Sequence, residues 1–165
     1  MKPQLQTRWQ AMDLVVARDG RDIDRVAASD IERVILVYVN RGDTPGDLAY
    51  ALLQTREHDL LFPPESGIAG RVHFERQLFW GERRCVFWAP LAKATLPRKL
   101  CAGLWILRQH RPAFVRLPRA ELQPLIAQWP LEGPQSWDER KVARIARARP
   151  FPALRPAAVS PNSTL

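Results

Sequence analysis

The stretch "IERVILVYVN", residues 31–40, decides the fold. Val34, Ile35, Val37 and Val39 are β-branched, and apolar residues occupy both parities of the run. A strand of that kind is apolar on both faces, as a central strand of a covered sheet would be. Upstream, "RDIDRVA" (21–27) alternates imperfectly, with Ile23 and Val26 set among charges. Before it, "DLVVA" (13–17) runs into Asp19-Gly20, a dipeptide suited to a tight hairpin turn. Downstream, "RGDTPG" (41–46) is a loop by its glycine, proline and aspartate content. "DLAYALLQ" (47–54) and "DLLFPP" (59–64) read as two further strands joined through "TREH", and Pro63 and Pro64 stop the sheet.

The next stretch is ambiguous. Ser66 suits a helix N-cap and Gly81 a helix stop, and between them Ile68, Val72, Phe74, Leu78 and Phe79 cluster on one side at helical spacing. Val72, Phe74, Leu78 and Trp80 also alternate, so a strand competes with a helix over 67–80, and the helix is preferred. "RCVFWA" (84–89) returns as a strand. From residue 90 the pattern is helical and punctuated by proline. "PRKLCAGLWILRQ" (97–109) predicts a buried helix with Pro97 in its first turn. "RLPRAELQPLIAQWP" (116–130) predicts another, with Leu122, Leu125, Ile126 and Trp129 facing the core and Pro124 as a kink. "SWDERKVARIARARP" (136–150) begins with the S-x-x-E capping box of Ser136 and Glu139. The remainder, 151–165, is rich in proline and small polar residues and predicts a disordered tail.

The chain therefore reads as α+β. An antiparallel sheet from residues 7–63 packs on the 67–80 helix in a β-rich domain spanning 1–90. A helical extension over 91–150 packs on that domain, and a tail over 151–165 follows. "SDIERVILVYV", "GDLAYALLQ" and "DLLFPPESG", in that order, give the first 90 residues a likeness to a small bacterial domain of the pleckstrin-homology type. The resemblance is architectural. It implies several antiparallel strands followed by a helix, and it carries no ligand site with it.

Composition narrows the function. Of 165 residues 46 % are apolar, enough for an ordinary core without disulfide staples. The two cysteines, Cys85 and Cys101, lie in apolar runs and read as buried thiols of a reducing compartment. "MKPQLQTRWQ" lacks the apolar segment of a signal peptide, and the longest apolar stretch, "LCAGLWIL" (100–107), falls far short of the ~20 residues that span a bilayer. A cytoplasmic protein is expected. Residues 1–96 carry 13 basic and 13 acidic side chains, whereas 97–165 carry 12 and 4, so the whole excess of +8 is C-terminal. Such asymmetry suits a nucleic-acid or acidic partner. Arginines number 21 against 4 lysines, a bias that a GC-rich coding sequence also produces.

No motif prescribes a reaction. His73-x-Glu75 supplies at most two metal ligands where three or four are needed. The acidic residues of "ARDGRDIDR" (17–25) do not fit a calcium loop. Gly42/Gly46 and Gly67/Gly70 match no phosphate-binding frame, and G-x-S-x-G is missing. No cofactor or metal is expected. An enzyme with a site around His73, Glu75, Arg76 and Cys85 stands as an alternative, since such groups meet only in space. The more informative cluster is Arg140, Lys141, Arg144, Arg147 and Arg149, of which Arg140, Arg144 and Arg147 share one helix face. That face suits phosphates or an acidic protein partner. The six tryptophans are scattered, which favours core anchors over a ligand box. The reading that follows is a non-catalytic binding or adaptor protein, with a nucleic-acid-binding accessory protein as its rival.

Overall fold

The computed structural model describes residues 4–68, 73–74, 83–102 and 111–148. The first three strands, β1 (Leu5–Gln10), β2 (Asp13–Arg18) and β3 (Arg21–Ala27), form an antiparallel meander. Asp19 and Gly20 link β2 to β3 with φ of 52° and 79°. Positive φ at both turn positions matches the twist of the flanking strands, which is why Asp-Gly is favoured there.

The expected single sheet over 7–63 is instead split. A one-turn 3₁₀ segment, Ala28–Asp30, ends the meander and begins a second sheet. That sheet contains β4 (Ile31–Tyr38), β5 (Leu48–Thr55), β6 (His58–Phe62) and β7 (Val86–Pro90). With β10 (Val115–Pro118) its order is β10-β6-β5-β4-β7. It is mixed, which corrects the antiparallel expectation: β7 runs parallel to β4, pairing Val34 with Val86 and Leu36 with Trp88. The 23 residues between β6 and β7 are ample for the crossover that a parallel pair requires. The outer edge of β7 is closed by main-chain bonds. Trp88 and Glu132 exchange N–H···O bonds of 2.9 and 2.8 Å, and the Gln135 N–H donates to the Val86 carbonyl at 2.9 Å. Covering the edge removes an open template for pairing with other chains.

Most of the expected 67–80 helix lies outside the described residues. His73 and Phe74 are helical, and Ile68 and Phe74 are buried. The expected helix over 97–109 is corrected in its described part. Arg98–Leu100 make a single 3₁₀ turn, Cys101 is extended, and β8 (Cys101–Ala102) pairs with β9 (Arg111–Pro112). A short apolar run does not separate helix from strand by periodicity. Residues 116–130 divide between β10 and a short helix, α1 (Arg119–Ile126). Pro118 precedes α1 in an extended conformation, and Pro124 sits inside it. The last helix, α2 (Trp137–Arg147), starts as expected with Ser136 as N-cap and Glu139 completing the capping box. The predicted tail, 151–165, lies outside the described residues.

Apolar side chains fill both faces of the second sheet. On one face Val34, Leu36, Leu53, Leu60, Phe62 and Trp88 pack with Leu14, Val16 and Val26 of the meander and Trp137 of α2. On the other, Ile35, Val37, Leu52 and Leu61 pack with Leu100 and with Leu122, Ile126 and Trp129 at and beyond α1. This doubly covered centre is what the run 31–40 required. The meander is also tied to the second sheet by charge. Arg116 of β10 donates from Nε and Nη2 to both carboxylate oxygens of Asp24 in β3, at 2.9 and 2.8 Å. No helix among the described residues is long and apolar enough to cross a membrane.

Candidate functional site

Where β4 ends, the chain turns sharply. Gly42 has φ of 66°, and a Cβ there would come within 2.4 Å of the Tyr38 ring, so only glycine fits. The turn sets residues 40–43 opposite α2, with an open cleft of about 1100 Å³ between them.

Arg140 floors this cleft and is 9 % exposed. Its guanidinium lies between two aromatic rings, 4.7 Å from the Tyr38 centroid and 4.4 Å from that of Trp88. Its nitrogens donate to the carbonyls of Arg41 (2.8 Å) and Gly42 (3.2 Å), to Glu132 Oε2 (2.9 Å) and to Gln135 Oε1 (3.4 Å). The other oxygen of Glu132 accepts from the Tyr38 hydroxyl at 2.5 Å. Burial raises the Tyr38 pKa, and the bond to Glu132 adds to the rise, so the phenol stays protonated as a donor. Trp88 is fully buried, its ring centroid lies 6.1 Å from that of Trp137, and its Nε1 donates to the Gln135 carbonyl at 2.6 Å. A buried guanidinium needs such partners, because an unpaired charge in this position costs several kcal/mol.

The basic cluster is therefore divided. Arg140 was expected on the same solvated face as Arg144 and Arg147; the structure turns it inward as a staple. Arg144 Nε lies 3.0 Å from Asp43 Oδ2. Lys141 and Arg147 are exposed, and Arg147 Nε donates to the carbonyl of Ala143 in its own helix, at 3.3 Å. Arg149 lies outside the described residues. Arg41, also exposed, joins the rim from the opposite wall. Sequence reasoning passed over Arg41, Tyr38, Asp43 and Glu132. Each belongs to an unremarkable loop or strand end, and only the fold brings them to α2.

The helix also presents apolar surface. Trp137 faces the core, but Val142 is 64 % exposed and Ile145 50 % exposed. The three were read as one narrow stripe. On the helix Ile145 lies roughly 80° and Val142 roughly 140° around from Trp137, so the stripe runs from the core out into solvent.

Of the alternative site, His73 and Cys85 are among the described residues. Burial lowers the His73 pKa, leaving the imidazole neutral at neutral pH, and its backbone carbonyl accepts from Trp9 Nε1 at 3.2 Å. Burial pushes the Cys85 thiol up despite Arg83 nearby, and Cys85 packs against the core. A raised pKa disfavours the thiolate that a nucleophile requires. Glu75 and Arg76 lie outside the described residues. Among the described residues no three His, Cys, Asp or Glu side chains are grouped to hold a metal. A second hollow of about 490 Å³ sets Asp30, Glu32 and Glu57 against Arg25, Arg56 and Arg116, and its charges offset one another. Compared with known proteins, the chain matches no family model, no curated protein and no solved structure.

Proposed function

We propose that this chain is a non-catalytic cytoplasmic binding or adaptor protein, in which residues 1–90 serve as scaffold and α2 carries the binding face. The observation that supports it is the outer side of α2. Val142 and Ile145, one helical turn apart, stand in solvent on a helix whose inner side is fixed by Trp137 and Arg140. Exposed aliphatic pairs on an otherwise charged helix suit a protein partner. The pleckstrin-homology-like plan read in the first 90 residues asks for successive antiparallel strands; the β1–β2–β3 and β4–β5–β6 pairings support it, and the parallel β4–β7 pair is a departure from it.

The test is co-purification from the native host with the full chain and with a Val142→Asp/Ile145→Asp variant. A stoichiometric partner held by the wild type and lost from the variant is the expected result. A chain that elutes alone, or a partner indifferent to the substitutions, would refute the reading.

A second reading is a nucleic-acid accessory role for Lys141, Arg144, Arg147 and Arg149. The exposure of Lys141 and Arg147 favours it; the inward turn of Arg140 and the pairing of Arg144 with Asp43 weaken it. Titration against a labelled duplex at two salt concentrations decides, because phosphate contacts make affinity fall steeply with salt. Binding absent at low salt ends this reading.

A further inference from the structure

We infer that the cleft between the 40–43 turn and α2 is a site for a small phosphate-bearing ligand, held by Arg41, Arg144 and Arg147. The inference goes beyond the binding-protein reading and does not depend on it. Arg140, Ala143, Arg144 and Arg147 put one side of α2 on the cleft, and Val142 and Ile145 lie on the other.

The charge of the cleft carries the argument. Its lining sets four arginines against two carboxylates, Asp43 and Glu132, a formal excess of two positive charges. Both carboxylates are already engaged. Glu132 accepts from Arg140 and from the Tyr38 hydroxyl, and Asp43 lies 3.0 Å from Arg144 Nε. Once those two pairs are set aside, the excess resides on Arg41 and Arg147. Arg41 is exposed and has no ion pair among the described residues. The turn and the helix are in contact: Arg140 Nη2 donates to the Arg41 carbonyl at 2.8 Å, two residues from the Asp43 that meets Arg144. Arg147 follows Arg144 by three residues and shares its face. Arg144 and Arg147 are engaged through Nε, by Asp43 and by the Ala143 carbonyl. A guanidinium held at Nε can still offer its two terminal nitrogens to an oxyanion.

The end of α2 works against an anion, because a helix C-terminus carries roughly half a negative charge. The excess of two outweighs it, and the hollow keeps about 1.5 positive charges. A phosphate monoester brings about −1.5 to −2 at neutral pH, on one group with three acceptor oxygens. A monocarboxylate brings less, and a dicarboxylate divides its charge between two groups. Ala143, Ala146 and Ala148 add little side-chain bulk to the α2 wall, and the open volume of about 1100 Å³ exceeds a bare phosphate and admits an organic group with it. A duplex presents its phosphates on a convex surface, which a hollow between a turn and a helix meets poorly.

The experiment is isothermal titration of the full chain with phenyl phosphate, succinate and a short DNA duplex. Phenyl phosphate is expected to bind one-to-one and to raise the melting temperature, with succinate and the duplex roughly tenfold weaker or more. Arg41→Gln/Arg147→Gln should weaken phenyl phosphate by roughly tenfold or more. Arg18→Gln/Arg21→Gln, which removes the same charge from the exposed β2–β3 hairpin, should leave it unchanged. All four positions are exposed, so both variants should melt with the wild type. No saturable binding to the wild type, equal affinity for succinate, or equal losses in the two double variants would overturn the inference. Tighter binding of the duplex would overturn it in favour of the nucleic-acid reading. A host partner held through Val142 and Ile145 is unaffected by any of these outcomes, so the two readings fail separately.

Discussion

Asp59 has no exposed surface, and one of its carboxylate oxygens, Oδ2, meets no hydrogen-bond donor among the described residues. Its other oxygen accepts from Gln54 Nε2 at 3.0 Å, and Gln54 Oε1 in turn accepts from Arg33 Nε at 2.6 Å. Burial raises the carboxyl pKa above 3.8, outweighing Gln54, Arg119, Arg33 and His58, all of which pull it down. A native state that holds its proton more tightly than the unfolded chain is most stable in acid and loses stability as the pH rises through the folded-state pKa. Asp59→Asn should therefore raise the urea midpoint at neutral pH, and the gain should vanish below the ordinary carboxylate range. A neutral-pH loss would mean that attraction to Arg33 and Arg119 dominates over desolvation. Nothing in "HDLLF" announced this. A strand residue next to a run of apolar neighbours reads as an edge charge until β5 and β10 close over it. Arg140 hid for a related reason: spacing groups it with Arg144 and Arg147, and only Tyr38 and Trp88, distant in sequence, turn it inward.

Among the elements, those defined by neighbours in sequence were legible. β4 followed from its two-sided apolar run, the β2–β3 hairpin from Asp-Gly, and α2 from its capping box. In that box the Ser136 Oγ accepts from the Glu139 N–H at 3.1 Å while Glu139 Oε2 accepts from the Ser136 N–H at 2.5 Å. Replacing Ser136 by alanine leaves a helix N–H without its acceptor and should cost about 1 kcal/mol in chemical unfolding. Equal stability of Ser136→Ala and wild type would show that water replaces the cap. The strand at 84–89 was legible as β7, but pairings between distant segments were not. β10 exists because β6 offers an edge, and β7 is parallel because the chain crosses the sheet before returning. The 97–102 segment becomes a turn and a strand because it pairs with residues 111–112. Local periodicity contains none of these partners.

At the scale of the molecule, two sheets share one core, and side chains at the edges decide how the last helix is mounted. Trp137 and Arg140 hold α2 from its inner side, while the salt bridges Arg84–Glu139 and Arg144–Asp43 flank it. The candidate site was legible only in outline. The basic, apolar-striped helix could be read from 136–150, but which cations stay free depends on residues 38–43 and 132. The account holds that Arg140 is a structural staple and that its guanidinium is not a ligand-binding group. The measurement that tests this most directly is urea unfolding of Arg140→Ala and Arg140→Lys, followed by tryptophan fluorescence. Losing two ring contacts and the charged hydrogen bonds should cost about 3 kcal/mol in Arg140→Ala. Lysine should recover only part of it, because a single ammonium cannot span both rings and the diverging acceptors. An Arg140→Ala protein as stable as the wild type would contradict the account.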